Sequence, residues 1–200
     1  MTIKKSREKR IEEITQAAVD EFLEKGYENT SMEAIAQRAG VSKGGLYYHF
    51  KSKDLILMFV NEKISKNIEK IMVQALKSGS VKERLLFFIE NYLNYWINHP
   101  QEFTIIFLSV AKILDKPELL GYYQRFTRDY FKYFEEMFSC GVQSGEFKSH
   151  NTRTSALTLV AALDGILSYM IVDDNLKLED VIPHFEDKFI KPIEIGVNIS

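Results

Sequence analysis

Breakers and capping residues cut this chain into runs whose apolar positions recur three and four apart, leaving almost no room for a strand. In the first run Ile11, Ile14, Ala18, Phe22 and Leu23 keep that spacing, Ser6 stands at a capping position, and Gly26 closes it. Thr30 and Glu33 have capping-box spacing and open a short helix through Met32, Ile35 and Ala36 that Gly40 stops. Ser42 caps another short helix running to about Phe50. Ser52 starts a long one through Leu55, Phe59, Ile64, Ile68, Ile71 and Leu76, closed by Ser78-Gly79-Ser80. Further helices are expected over 81–98, 101–113, 117–143, 152–172 and 178–191, with Pro100, Pro117 and Gly145 as punctuation and Pro183 and Pro192 near the ends of the last. The fold class is all-α. A domain of three short helices at 1–52 precedes a larger helical bundle at 53–200, and the long fourth helix bridges them.

Composition narrows the function classes. Apolar residues at 46% of 200 supply a real core, which excludes disorder for the bulk of the chain. The single Cys140 excludes a disulfide framework and a multi-thiolate metal site, and its expected role is that of a small hydrophobe. The opening MTIKKSREKR runs straight into charged, helix-like sequence, so no signal peptide is expected and the cytoplasm is the expected compartment. Thr154 to Val172 has Asp164 as its only charge, and a central acid costs about 2.5–3.5 kcal/mol on an insertion scale. The segment is read as a helix buried on most sides of a soluble protein, with no membrane partner.

Catalysis finds no support. His49, His99, His150 and His184 are scattered, and no carboxylate stands at ligand spacing beside a second histidine. Gly44-Gly45 lacks the third glycine and the preceding strand of a phosphate loop, and no nucleophile elbow occurs. No metal, no cofactor and no enzymatic activity are expected.

Net charge is −2, which argues against a basic surface spread over the whole protein, but the charge is unevenly placed. Lys4, Lys5, Arg7, Lys9 and Arg10 face one acid, Glu8, in the first ten residues. Arg38, Lys43, Lys51 and Lys53 fall in a stretch with no acid, whereas residues 64–200 hold 15 basic and 18 acidic side chains. That pattern suits a small DNA-facing module on a larger acidic body. The turn Ala39-Gly40-Val41-Ser42 has the parts of a helix-turn-helix corner. Gly40 takes a positive φ, Val41 plugs the angle, and Ser42 caps the helix that enters the groove. In that helix Leu46 and Phe50 face the core and Lys43, Gly44, Tyr47, Tyr48 and His49 face outwards.

The outward set suits a duplex. Lys43 reaches a guanine edge or a phosphate, and Gly44 and Gly45 let the backbone approach the groove. The tyrosine hydroxyls and the His49 imidazole hydrogen-bond phosphates, with Lys51 and Lys53 beside them as phosphate neutralisers. The capped start at Thr30 and Ser31 offers amides to another phosphate. Three consecutive helical side chains cannot all point inwards, so Tyr47, Tyr48 and His49 do not simply pack.

These residues carry a resemblance. The run from Ile11 to Leu57 resembles the N-terminal DNA-binding domain of the TetR family of bacterial transcriptional regulators. The matching segments are Ala17-Ala18 through Phe22, Gly26-Tyr27, Thr30 with Ile35-Ala36, Ala39 to Gly44, Leu46 to Phe50, and Lys53 with Leu55. It departs at Gly45, where family members commonly carry threonine or another side chain that reaches the DNA. The resemblance implies a double-stranded DNA operator, a homodimer, a C-terminal ligand-binding and dimerisation domain, and repression relieved by a small molecule. It also implies that the last two long helices pack against their twofold mates.

In the larger domain Tyr92 and Trp96, Phe103 and Phe107, and Tyr122 and Phe126 each lie four apart on successive expected helices. Stripes of this kind either line an apolar cavity for a flat or long-chain effector or form ordinary core. Asp164, alone in an uncharged run, must be paired, hydrogen-bonded or neutral. It either bonds across the dimer interface or reaches into the pocket. The expected function is a DNA-binding transcriptional regulator, a homodimeric repressor released from its operator by an apolar or aromatic small molecule. The rival class is a helical protein-interaction module without sequence-specific DNA binding.

Overall fold

The computed structural model describes residues 6–116, 119–173 and 175–196, except for the side chains of residues 113–115, 122 and 126. Pro117, Lys4 and Lys5 lie outside the described residues, as do the side chains of Tyr122 and Phe126. Among the described residues the elements are α1 Arg7–Lys25, α2 Met32–Arg38, α3 Lys43–His49, α4 Lys53–Ala75, α5 Val81–Asn98, α6 Pro100–Asp115, α7 Leu120–Gln143, α8 Thr152–Met170 and α9 Leu178–Phe185. A π-helical turn, Glu186–Ile190, follows α9. The chain is all-α, and the only strand-like pairing among the described residues is an isolated bridge between Phe147 and Glu194.

The expected caps hold at Ser6, which accepts from the Lys9 amide, and at Ser42 and Ser52. One does not. Ser31, not Thr30, caps α2 and accepts from the Ala34 amide at 3.0 Å. Thr30 is buried, and its hydroxyl donates to the carbonyls of Gly26 (2.9 Å) and Glu21 (3.2 Å) at the end of α1. The end of the preceding helix claims the hydroxyl, so the exposed serine next to it takes the cap. The expected helix over 178–191 runs through Pro183 as α9 and passes without a gap into the π-helical turn at Glu186. Its final turn widens, with Lys191 N–H bonded to Glu186 O at 2.9 Å.

The chain divides into two compact units, one from Met1–Lys66 with Gln101–Gln124, the other from Asn67–Pro100 with Arg125–Ser200. In the first, Ile14, Ala18, Phe22, Ile35, Leu46, Phe50 and Leu57 form a shared core. Arg38 pins α2 to α1 through Glu21 (2.7 Å) and a two-pronged pair with Glu24. Glu21 is buried, and its carboxyl is held below the ordinary range by Lys25 and Arg38 against the opposing effect of burial. From Gln101 onwards α6 belongs to this unit. Lys112 pairs with Glu28 at 3.3 Å and lies 5.3 Å from the centre of the Tyr27 ring, and Lys116 pairs with Asp54.

In the second unit α5 packs on α8 and α9, and Leu85, Phe88, Ile89, Leu93, Phe134, Phe138, Leu159, Leu163 and Leu167 are buried. Ser80 and Glu83 form a reciprocal capping box at the start of α5. A Cβ on Gly141 would stand 2.2 Å from the buried ring of Phe147, so this position on α7 admits no side chain without displacing that ring. Its neighbour Cys140 is exposed, contrary to the expected small-hydrophobe role, because the helix phase turns Gly141 to the core instead. No helix of the described residues is long and apolar enough to cross a membrane. The segment expected to be buried on most sides is buried along one face of α8 only. Leu157, Ala161, Gly165 and Tyr169 are exposed in the single chain.

Candidate nucleic-acid interface

The corner between α2 and α3 is fixed by hydrogen bonds that the sequence dictates. Gly40 has φ +64° and closes α2 with two bonds, its own N–H to Gln37 O (3.1 Å) and the Val41 N–H to Ala36 O (3.0 Å). Both orphan carbonyls are satisfied in the pattern of a helix ended by a left-handed glycine. Ser42 then accepts from the Gly45 amide at 3.1 Å and starts α3. Leu46 and Phe50 are buried, as their spacing required, and Phe50 meets Phe59 of α4 edge-on at 5.1 Å.

The opposite face of α3 is presented to solvent. Tyr48 is 73% exposed and Tyr47 37%. Ser31, Ser42, Lys43, Gly44 and Lys51 are exposed too, and Gly45 is half-buried. A Cβ at Gly45 would lie 3.2 Å from Ser42 Oγ, so a larger residue there presses on the cap. The Lys43 ammonium pairs with Glu33 of α2, which raises its pKa. Lys51 donates back to the Tyr47 carbonyl at 3.1 Å while its head stays exposed.

Three expected contact residues sit differently. Lys53 is half-buried, and its ammonium donates to the carbonyls of Tyr27 (2.6 Å), Thr30 (2.8 Å) and Glu28 (3.3 Å), 4.2 Å from the centre of the Tyr27 ring. Its polar capacity closes the α1–α2 loop, and burial lowers its pKa. Thr30 is consumed by the end of α1, as above. His49 is half-buried against Tyr48 at 5.0 Å, and its Nδ1 is enclosed with no hydrogen-bond partner among the described residues. Burial, then Arg7 and Arg10, hold its pKa below the ordinary histidine value, so the ring is neutral at pH 7.

That last observation links two residues of α1 to the His49 ring. Arg7 and Arg10, at the start of α1, lie close enough to α3 to act on His49. The basic run at the N-terminus marked them in the sequence, but only the fold joins them to the α3 face.

The expected ligand residues divide between the units. Tyr92 and Trp96 are buried on α5, and Tyr92 donates to Asp164 at 2.6 Å. Phe103 is buried and Phe107 is 46% exposed on α6, with their rings 4.6 Å apart. A surface groove of about 550 Å³ lies between α7 and α8, with Arg128, Phe131, Lys132, Glu135, Arg153 and Leu157 among its lining residues. It contains none of the expected ligand residues. Among the described residues no group of three histidine, cysteine or carboxylate side chains is placed to hold a metal ion.

Comparison with known proteins agrees with this architecture. Residues 14–57 match the family described as bacterial regulatory proteins, tetR family, and residues 63–194 match the C-terminal region of QacR-like proteins. The chain is similar to the fatty acid metabolism regulator protein of Bacillus subtilis (strain 168), 24% identical over 82% of this chain and 84% of that protein. It is similar to the transcriptional regulator QacR of Staphylococcus aureus (strain Mu50), 24% identical over 84% of this chain and 90% of that one. Its fold is shared with the crystal structure of the regulator FadR from Bacillus subtilis in complex with stearoyl-CoA, with TM-score 0.68 and 22% identity over 92% of this chain and 99% of that one. A capped helix-turn-helix under an outward tyrosine-and-lysine face, a helical second unit and two family matches that together span most of the sequence lead to one conclusion: the chain belongs to the tetR family of bacterial regulatory proteins and is a DNA-binding transcriptional regulator.

Proposed function

We propose that the chain acts as a homodimeric repressor that reads an operator with α3 and leaves it when a small apolar or aromatic effector binds the second unit. The carrying observation is the solvent face of α3, where Tyr47, Tyr48 and Lys43 project beyond a corner locked by Gly40 and Ser42. Tyr47, Tyr48, Lys43 and the backbone at Gly44 and Gly45 enter the major groove. Lys51, Ser31, Ser42, Arg7 and Arg10 meet phosphates, with His49 as a neutral hydrogen-bonding group. Lys53 and Thr30 act one step back, holding the loop that carries α2.

The dimer is proposed through α8 and α9. Leu157, Ala161, Gly165 and Tyr169 leave an exposed face of small and apolar residues on α8, which suits close approach of a second copy. Relatives support the effector: one is named for fatty acid metabolism and one was solved with stearoyl-CoA. Tyr92, Trp96 and Asp164 are the effector residues we carry forward. The helix α4, continuous from Lys53 to Ala75, takes the chain from one unit into the other and is the proposed path of the signal. DNA selection from a random duplex pool tests the reading. Enrichment of a twofold-symmetric site whose affinity falls steeply with salt supports it. Salt-insensitive binding with no enriched sequence favours a protein-interaction module instead.

A further inference from the structure

The groove of about 550 Å³ between α7 and α8 combines two chemistries. Phe131, Ala156 and Leu157 make its apolar part, and charged side chains line the rest. Lys132 and Glu136 pair with each other at 3.4 Å. Two guanidinium groups, Arg128 and Arg153, then stand against one carboxylate, Glu135. Both arginines are exposed, and neither has a carboxylate partner among the described residues. A segment of the same chain has the matching chemistry. At the C-terminal tip of α8, Tyr169 is 66% and Val172 79% exposed, and Asp173 follows. One oxygen of Asp173 accepts from the Asn175 amide at 3.0 Å, and no cation pairs with it among the described residues. The tip cannot reach the groove of its own chain. From Arg153 to Asp173 the helix rise of about 1.5 Å per residue sets the two about 30 Å apart.

Another copy can bring them together, and the sequence of α8 supplies the register. Arg153, Leu157, Ala161, Gly165 and Tyr169 succeed one another four apart and make one ridge along the helix. A twofold axis between Ala161 and Gly165 sets two such ridges antiparallel. Leu157, four residues before Ala161, then faces Tyr169, four after Gly165. Arg153, eight before, faces Asp173, eight after. One register thus carries the apolar tip to the apolar part of the groove and the acid to the spare guanidinium groups. We propose that the α7–α8 groove is the socket for the α8 tip of a second copy of this chain. The partner's Tyr169 and the partner's Val172 lie against Phe131 and Leu157, and the partner's Asp173 pairs with Arg153 and Arg128. A twofold makes the contact twice, once in each direction. A small acidic ligand would meet the same guanidinium groups but would leave the apolar tip uncovered. The inference rests on the reading of a dimer through α8 and α9, and it specifies which surfaces of the two copies meet.

Charge reversal followed by sedimentation tests the socket. Arg153→Glu and Asp173→Arg each set like charges together twice per dimer, and each is expected to weaken self-association about tenfold or more. Mixed in equal amounts, each variant supplies the charge that the other lacks, so a heterodimer of about wild-type strength forms. Only a reciprocal contact between copies gives that rescue. Val172→Lys changes a side chain too exposed to matter to the fold of one chain, and it should weaken the dimer as well. It decides the question where a reversal variant fails to fold. The proposal is overturned if the variants self-associate like the wild type or if the mixture stays monomeric. It is also overturned if a small apolar acid, 4-phenylbutyrate, binds the wild-type dimer and is lost with Arg153→Glu, which would make the groove a ligand site. A wild-type dimer indifferent to all three changes loses this inference alone. Wild-type protein that stays monomeric up to about 100 µM loses the dimer reading with it.

Discussion

The ammonium of Lys43, the first residue of α3, is paired with the carboxylate of Glu33 on α2. Both side chains are more than half exposed, so the contact parks the lysine beside the groove face without burying it. An operator phosphate or guanine competes with Glu33 for that charge. Glu33→Gln is therefore expected to tighten operator binding about two- to tenfold at fixed moderate salt, read by fluorescence anisotropy. Weaker binding would mean that Glu33 is needed to aim Lys43.

Two lysines two residues apart are expected to behave differently. Lys53→Met removes an ammonium that holds three carbonyls and lowers thermal stability by about 1–3 kcal/mol. It leaves the salt dependence of operator binding nearly unchanged. Lys51→Ala leaves stability alone and reduces the slope of log affinity against log salt by about one. The opposite assignment of the two effects would return Lys53 to the phosphate contacts.

The division between these lysines also marks how far the sequence could be read. Helix positions, the corner at Gly40 and the outward turn of Tyr48 followed from spacing and capping chemistry, which are local. Thr30 could not be told from Ser31 as a cap, because the choice was made by carbonyls at the end of α1 that claim one hydroxyl. Lys53 and Arg38 read as free cations until the fold supplied the Tyr27–Thr30 carbonyls and the carboxylates of Glu21 and Glu24. Arg7 and Arg10 were visible as charge, but their place beside His49 is a long-range fact. The aromatic stripes could not be sorted into core and site, since Trp96 and Phe107 keep the same spacing and differ only in what packs on them.

Two glycines separate core packing from dimer contact. Gly141→Ala forces a methyl into the Phe147 ring and is expected to lower stability by about 1–3 kcal/mol, seen as a lower Tm. A Cβ at Gly165 would meet nothing within 4 Å in the single chain, so Gly165→Leu is tolerated by the fold itself. Light scattering should show the Gly165→Leu protein as a folded monomer at concentrations where the wild type is a dimer. A variant that stays dimeric would move the interface away from this face of α8.

Burial raises the pKa of Asp164, with the Tyr92 hydrogen bond as a smaller opposing effect. A folded value above the unfolded one means its contribution to stability is full at acid pH and is lost as pH rises through the folded value. The flanking groups, Tyr92 and Tyr130, are themselves pushed upward by burial and stay protonated across this range. Asp164→Asn cannot ionise, so its Tm relative to wild type should be higher at pH 8 than at pH 4. An equal difference at both values would mean that Asp164 titrates as an ordinary exposed carboxyl.

Operator affinity of Tyr48→Ala and Lys43→Ala, measured at one salt concentration against a site enriched with the wild-type protein, tests the α3 surface most directly. Both side chains lie outside the core, so both variants should keep wild-type helical content and Tm. A good base contact is worth about 1–3 kcal/mol, which predicts a loss of roughly five- to hundredfold in each. Wild-type affinity in both variants would contradict the assignment of α3 as the helix that reads DNA.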